Sequence, residues 1–125
     1  MNNTDLKAVV EGAKNLLITK GWIKRGNARD SDGDPVSALS EHAACFCAQG
    51  AIMRAAWDLG FVPQRSSQSF EEFIHTEVLY PVNKAIDRRT SLNMPVELWH
   101  INDDSKTIEP VIDVLDHVIK VLEAA

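Results

Sequence analysis

The sequence predicts an all-α fold, an irregular bundle of about four main helices in which a proline kinks the third. Apolar residues recur at helical spacing in four stretches of the chain, and capping residues or glycines bound most of these stretches. A possible extended segment at 96–101 has no visible partner strand. A chain of 125 residues without linkers or repeats corresponds to a single domain, 1–125.

The first helix is predicted from about Thr4 to Lys20. Asn3 or Thr4 is a suitable N-cap, and Gly21 suits the left-handed position after the last turn, from which Trp22 can fold back onto the helix. One apolar stripe follows helical spacing: Leu6, Val9, Val10, Ala13, Leu16 and Leu17.

The second predicted helix is rich in small residues. It starts near Ser37 or Ser40, both good N-caps, and ends at Gly60, with Phe61 as the following hydrophobic contact. Because small side chains let neighbouring backbones approach closely, we expect this helix at the centre of the bundle. The small residues are Ala43, Ala44, Cys47, Ala48, Gly50, Ala51, Ala55 and Ala56.

The third predicted helix starts at a capping box, in which Ser69 and Glu72 bond each other's backbone amides. Pro81 falls inside the apolar pattern that continues to Arg89. Since proline removes a backbone donor and clashes with the preceding turn, we expect a kink or break near Tyr80.

The last helix is predicted from about Thr107 almost to the end of the chain. Thr107 is a candidate N-cap, and Pro110 is tolerable in the first turn, where amides lack intrahelical partners. Its apolar pattern is the cleanest in the sequence: Ile108, Val111, Ile112, Leu115, Val118, Ile119 and Leu122.

Composition narrows the function classes. The net charge of −5 disfavours non-specific binding to nucleic acid or to an anionic membrane. No apolar run is long enough for a transmembrane helix, and no secretory signal is visible. Cys45 and Cys47 would point about 200° apart on a helix and could not bridge each other, so a reducing cytoplasm is the expected location.

Two segments have some character of metal sites. Asp30, Asp32 and Asp34 are spaced as in a calcium loop, but Pro35 occupies the position where that loop needs glycine. His42, Cys45 and Cys47 would not share one helical face, and no fourth zinc ligand is evident nearby. The sequence therefore predicts no metal and no cofactor.

The segment 99–104 concentrates polar and aromatic side chains, and two interpretations stay open. In the first, Trp99, His100, Asn102 and Asp103 line a ligand pocket in which Trp99 stacks on the ligand. In the second, Asn102 and Asp103 satisfy free backbone amides at the entry to the last helix, and Trp99 fills the core.

Three short marks give the chain a family resemblance. They are Gly21-Trp22, the Cys-x-x-Gly-Ala run with Cys47, Gly50 and Ala51, and Asn102-Asp103 followed by Lys106-Thr107. In these marks the chain resembles a family of small bacterial and phage proteins, domain of unknown function 6197. That family usually has Trp directly before Asn-Asp, where this chain has Ile101. The resemblance implies a cytoplasmic bacterial or phage protein and brings no known activity.

The sequence carries no catalytic motif of the familiar hydrolase, phosphate-binding or metalloprotease kinds. This favours a non-enzymatic binding or accessory protein that contacts another protein or its own copy. The alternatives are a small-ligand-binding domain or enzyme with a pocket near Trp99–Asp103, and a phage regulator that blocks a host factor.

Overall fold

The computed structural model describes residues 1–63, 65–87 and 97–125. This part of the chain contains helices and three very short strands. The helices are α1 (Asn3–Thr19), α2 (Ala48–Asp58), α3 (Phe70–Phe73), a π-helical segment (Ile74–Leu79), α4 (Tyr80–Asp87), α5 (Leu98–Asp104) and α6 (Glu109–Ala124). The strands are β1 (Ala28–Arg29), β2 (Pro35–Val36) and β3 (Cys45–Phe46). No helix among the described residues is long and apolar enough to cross a bilayer.

The three strands form a small antiparallel sheet in the order β2-β1-β3, so the fold is mostly helical rather than strictly all-α. Ala28 pairs with Val36 on one side and with Phe46 on the other. Each strand is two residues long, too short to show the alternation that predicts a strand. The predicted helical character is confirmed, and only the strict all-α class was wrong.

Helix α1 has nearly the predicted extent. Its N-cap is Asn2, whose side chain accepts from the Asp5 amide at 2.8 Å, and not Asn3 or Thr4. The predicted stripe is buried except for Leu16, which is half-buried. Gly21 has φ 131°, a conformation that glycine adopts readily, and directs the chain away from the helix.

Helix α2 begins at Ala48, so the predicted start at Ser37 or Ser40 was wrong. Both serines cap local turns: Ser37 accepts from the Leu39 amide and Ser40 from the His42 amide. The predicted end is confirmed, since Gly60 has φ 84° and the Phe61 amide bonds the Ala56 carbonyl, as in a Schellman motif.

The predicted capping serine is confirmed, with the Ser69 hydroxyl accepting from the Glu72 amide at 3.1 Å. Pro81 does not break the helix. The π-helical segment precedes it, and the Tyr80 amide reaches back five residues to His75, which shifts the hydrogen-bond pattern ahead of the proline. The predicted end at Arg89 and residue 96 lie outside the described residues. The extended segment considered at 96–101 was wrong where the structure describes it, because Leu98–Asp104 forms helix α5.

Helix α6 begins at Glu109, with Pro110 in the first turn as predicted. The N-cap is Ile108 without a side-chain cap, so the capping role expected of Thr107 was wrong. The apolar pattern is wider than the face that the bundle covers. Val111, Val114, Leu115, Val118 and Leu122 are buried, whereas Ile108, Ile112 and Ile119 are only partly covered.

The small-residue helix lies in the interior, as predicted. Ala48, Ala51, Ile52 and Ala56 have no exposed surface, and α1 packs against both α2 and α6. A Cβ atom built on Gly12 of α1 would lie 3.2 Å from the Ala55 Cβ, which shows how closely α1 and α2 approach. Short side chains at this crossing therefore permit the close contact.

Candidate functional site

Residues far apart in the sequence meet at the buried side chain of Asn102. Asn102 lies on α5 and is 1% exposed. Its Oδ1 accepts from the Trp22 indole at 2.7 Å and from the Ala48 amide, the first of α2, at 2.9 Å. Its Nδ2 donates to the Ile23 carbonyl at 3.1 Å and to Asp103 at 3.2 Å.

These four bonds use the full capacity of the Asn102 amide, two accepted and two donated. They join the segment after α1, the start of α2 and helix α5. We call Trp22, Ile23, Ala48 and Asn102 the Asn102 clasp. The expectation that Asn102 serves the entry to the last helix was wrong, because the amide that it satisfies belongs to α2.

Asp103 extends the connection to the loop after α1. Its Oδ1 accepts from the Arg25 amide at 2.9 Å, and Arg25 has φ 60°. A left-handed conformation is unfavourable for a residue with a Cβ. The carboxylate therefore helps to hold the backbone in a conformation that arginine rarely adopts alone, again away from the last helix.

The Cys-x-x-Gly spacing has a structural explanation at the start of α2. Cys47 is the N-cap, and its Sγ accepts from the Gly50 amide at 3.3 Å. The Cys47 amide donates to the Asn27 carbonyl at 3.2 Å. A Cβ on Gly50 would lie 1.9 Å from that same carbonyl oxygen, so only glycine fits beside this loop. Ala51 follows, fully buried.

The Cys47 thiol is held in its protonated form. It is 6% exposed, and burial raises the pKa of the Cys47 thiol, with a smaller contribution from the negative charge of Asp103. The sulfur approaches Asn27 Oδ1 at 3.7 Å, a contact in which a protonated thiol donates. The amide bonds at the start of α2, including that from Gly50, lower the pKa of this thiol, but burial outweighs them, and a raised pKa disfavours the reactive thiolate.

We therefore expect Cys47 to resist alkylation in the folded protein. The test compares two variants with one cysteine each at pH 8, Cys45→Ser and Cys47→Ser. Ellman's reagent should modify Cys47 in the first at least about tenfold more slowly than the half-buried Cys45 in the second. The low thiolate fraction of Cys47 and its burial both limit the rate. The two variants should react alike in concentrated urea. Cys47 reacting as fast as Cys45 without denaturant would contradict the assignment.

A cavity of about 270 Å³ lies beside the clasp, and we call it the Trp99 cavity. Its lining residues are Gly26, Asn27, Cys47, Gln49, Trp99, Asn102 and Asp103. Trp99 is 44% exposed and does not fill the core as one interpretation expected. Its ring lies against that of His100, which does not line the cavity, with centroids 3.6 Å apart and planes tilted by 33°. The structure thus brings three of the four predicted ligand-binding residues to one cavity.

The other predicted residues lie elsewhere. The Thr107 hydroxyl bonds the Glu109 carboxylate, which lowers the pKa of Glu109. In the acidic loop, Asp30 Oδ1 accepts from the amides of Asp32 and Asp34, both at 2.9 Å, within a turn. Across residues 1–63, 65–87 and 97–125 no three His, Cys, Asp or Glu side chains form a group that could hold a metal ion.

A second surface was not predicted from the sequence. Two cavities, of about 340 and 430 Å³, meet at Ile18 between α1 and α6. Ile18 is 60% exposed, and the half-buried Ile108, Ile112 and Ile119 lie along the same surface. We call it the α1–α6 groove. The signal was in the sequence, since α6 has more apolar positions than one buried stripe requires.

Carboxylates surround the isoleucines of the groove. Its charged lining residues are Glu11, Lys14, Glu109, Asp113 and Asp116, four acidic and one basic. The Lys14 ammonium already pairs with Asp116 at 2.7 Å. The groove is therefore an apolar strip with a net negative border.

Comparison with known proteins gives a match to a family model. The model of a family of unknown function, DUF6197, matches residues 1–121. No curated protein and no solved structure matches the chain.

Proposed function

The chain belongs to the DUF6197 family, and we propose that it is a non-enzymatic binding protein that contacts another protein through the α1–α6 groove. The observation that carries this proposal is the incomplete burial of four isoleucines along two adjacent helices. Single exposed apolar residues are ordinary, but a contiguous apolar strip is typical of an interaction surface. We place the protein in a bacterial or phage-infected cytoplasm, as the family resemblance implies.

The hydrogen bonding of Asn102 and the raised pKa of Cys47 both support a non-enzymatic role. Asn102 has no free donor or acceptor for a substrate, because its four bonds stay within the chain. The raised pKa of Cys47 disfavours the thiolate that nucleophilic catalysis requires. The family marks around Trp22, Cys47 and Asn102 then serve to hold the fold together, which leaves binding to the surface.

The groove has dimensions suited to a helical segment. Along α6, Ile108 and Ile119 are eleven positions apart, which corresponds to roughly 16 Å of helix axis. A partner helix of about three turns would cover this length and bury the isoleucines. Grooves that recognise an amphipathic helix commonly contact apolar side chains spaced along one face of that helix.

Affinity capture from the host bacterium tests the proposal. The wild type should retain a protein partner that Ile18→Glu loses, because the new carboxylate would be desolvated in the interface. Leu59→Glu is the matched control, since Leu59 is 51% exposed at the end of α2, outside the groove. A partner lost by Leu59→Glu and kept by Ile18→Glu would contradict the location, and wild type retaining no protein above a bare resin would contradict the function.

A second candidate function is small-ligand binding at the Trp99 cavity. It is favoured by the convergence of Trp99, Asn102 and Asp103 on one cavity beside the start of α2. A fragment titration followed by NMR at the Trp99 indole distinguishes it from the first. Saturable shifts at Trp99 with none at Ile18 would favour the ligand pocket, and no saturable shift at Trp99 would count against it.

A further inference from the structure

We propose that the occupant of the α1–α6 groove is a basic amphipathic α-helix of a different protein. This inference rests on the proposed function and names its partner class. It combines two independent features of the groove, an apolar strip shaped by two helices and a border that is almost entirely acidic. A helix with apolar residues on one face and Lys or Arg on both sides of that face complements both features.

The apolar strip indicates that the partner presents an apolar face to the groove. Ile18 comes from α1, and Ile112 and Ile119 come from α6, with Ile108 at its N-cap. Cavities on both sides of the exposed Ile18 side chain leave space for partner side chains. Leucine-sized residues at helical spacing would fill these spaces and bury the isoleucines.

The border fixes the charge of the partner. The basic residue of the border, Lys14, is neutralised by Asp116. The Glu11 carboxylate lies 3.6 Å from the Lys7 ammonium, which forms a shorter ion pair with Glu123 at 2.9 Å. Glu109 and Asp113 are exposed carboxylates beside Ile112. The hydroxyl of Thr107 bonds the Glu109 carboxylate and lowers the pKa of Glu109. These groups attract cationic side chains and repel acidic ones.

The same charges argue against a second copy of this chain in the groove. A two-fold interface would place each acidic border against its own copy, and like charges in contact are costly. The net charge of −5 adds to this repulsion at longer range. A partner of opposite charge meets neither penalty.

Binding of three synthetic peptides tests the inference. The first is a fluorescein-labelled helix of about 14 residues, long enough for the roughly 16 Å of the groove, with leucines on one face and lysines on both flanks. The second has the same composition in scrambled order, and the third carries glutamate in place of every lysine. Fluorescence anisotropy should give a Kd for the first peptide that is at least about tenfold lower than the Kd of either other peptide.

Variants locate the peptide on the protein. Ile18→Ser should weaken the lysine peptide about tenfold, and Leu59→Ser should leave it unchanged. The double variant Glu109→Gln/Asp113→Asn should weaken it several-fold at about 50 mM salt and much less at about 500 mM, because salt screens exposed charges. Sedimentation should show a monomer with or without the Ile18 substitution.

The outcomes separate this inference from the proposed function. Equal binding of the lysine and glutamate peptides, both lost in Ile18→Ser, would keep the groove as a docking surface and overturn the basic partner. If Ile18→Ser does not weaken binding of the lysine peptide and the scrambled peptide binds equally well, the attraction is non-specific and the inference is wrong. A dimer dissociated by Ile18→Ser would assign the groove to a second copy instead.

Discussion

Replacing Gly50 with alanine is expected to destabilise the folded protein by about 3 kcal/mol or more, the upper part of the range for overpacking. An added Cβ would lie 1.9 Å from the Asn27 carbonyl oxygen and 2.7 Å from its carbon. Backbone atoms cannot rotate away as a side chain does, and the same carbonyl bonds the Cys47 amide. The start of α2 would separate from the loop. Gly50→Leu should be worse. Urea denaturation measures the loss.

The matched control is Gly12→Ala in α1. Both glycines are helical, and alanine in a helix is normally favoured over glycine by about 1 kcal/mol. A Cβ on Gly12 would meet the Ala55 Cβ at 3.2 Å, a contact that a small shift relieves. We expect Gly12→Ala to stay within about 1 kcal/mol of the wild type. A Gly50→Ala protein as stable as the wild type would show that α2 does not pack against Asn27.

Replacing Asn102 with leucine, which has nearly the same shape, is expected to cost about 3 kcal/mol or more. The substitution leaves the Trp22 indole N–H, the Ala48 amide and the Ile23 carbonyl without the partner that they have now. The bond to the Ala48 amide is buried and the other two are partly buried. Each buried polar group left unsatisfied costs about 1–3 kcal/mol, although the costs of neighbours do not simply add. Thermal and urea unfolding should both report the change.

Asp104→Leu is the control for this prediction. Asp104 follows two residues later on α5 and is exposed, so its replacement should change stability by no more than about 0.5 kcal/mol. Equal stabilities for Asn102→Leu and Asp104→Leu would mean that the clasp contributes nothing to folding.

Local sequence signals predicted a helix end correctly where an interaction between residues a few positions apart determines that end. The Ser69 cap, the Gly60-Phe61 end of α2 and the proline in the first turn of α6 each depend on residues a few positions apart. The start of α2 could not be predicted in the same way. Ser37 and Ser40 are equally good caps for a helix or for a turn, and long-range pairing of β3 with β1 decided the outcome.

The candidate site shows the same division. The sequence singled out Asn102, Cys47 and Gly50, but their partners Ala48, Asn27 and Ile23 could not be known, since these contacts depend on how distant segments meet. The α1–α6 groove was missed for another reason. Ile112 and Ile119 fit a buried helical stripe, and only the packing of α1 beside α6 leaves them partly open.

Hydrogen exchange of the three tryptophan indoles tests the clasp most directly in a single NMR experiment. The Trp22 indole donates to the buried Asn102, whereas Trp57 is 47% exposed and Trp99, 44% exposed, donates to the exposed Glu97. The Trp22 indole proton should exchange at least about a hundredfold more slowly than the other two, and only through unfolding of the clasp. A Trp22 indole that exchanges as fast as that of Trp57 would contradict the Asn102 clasp.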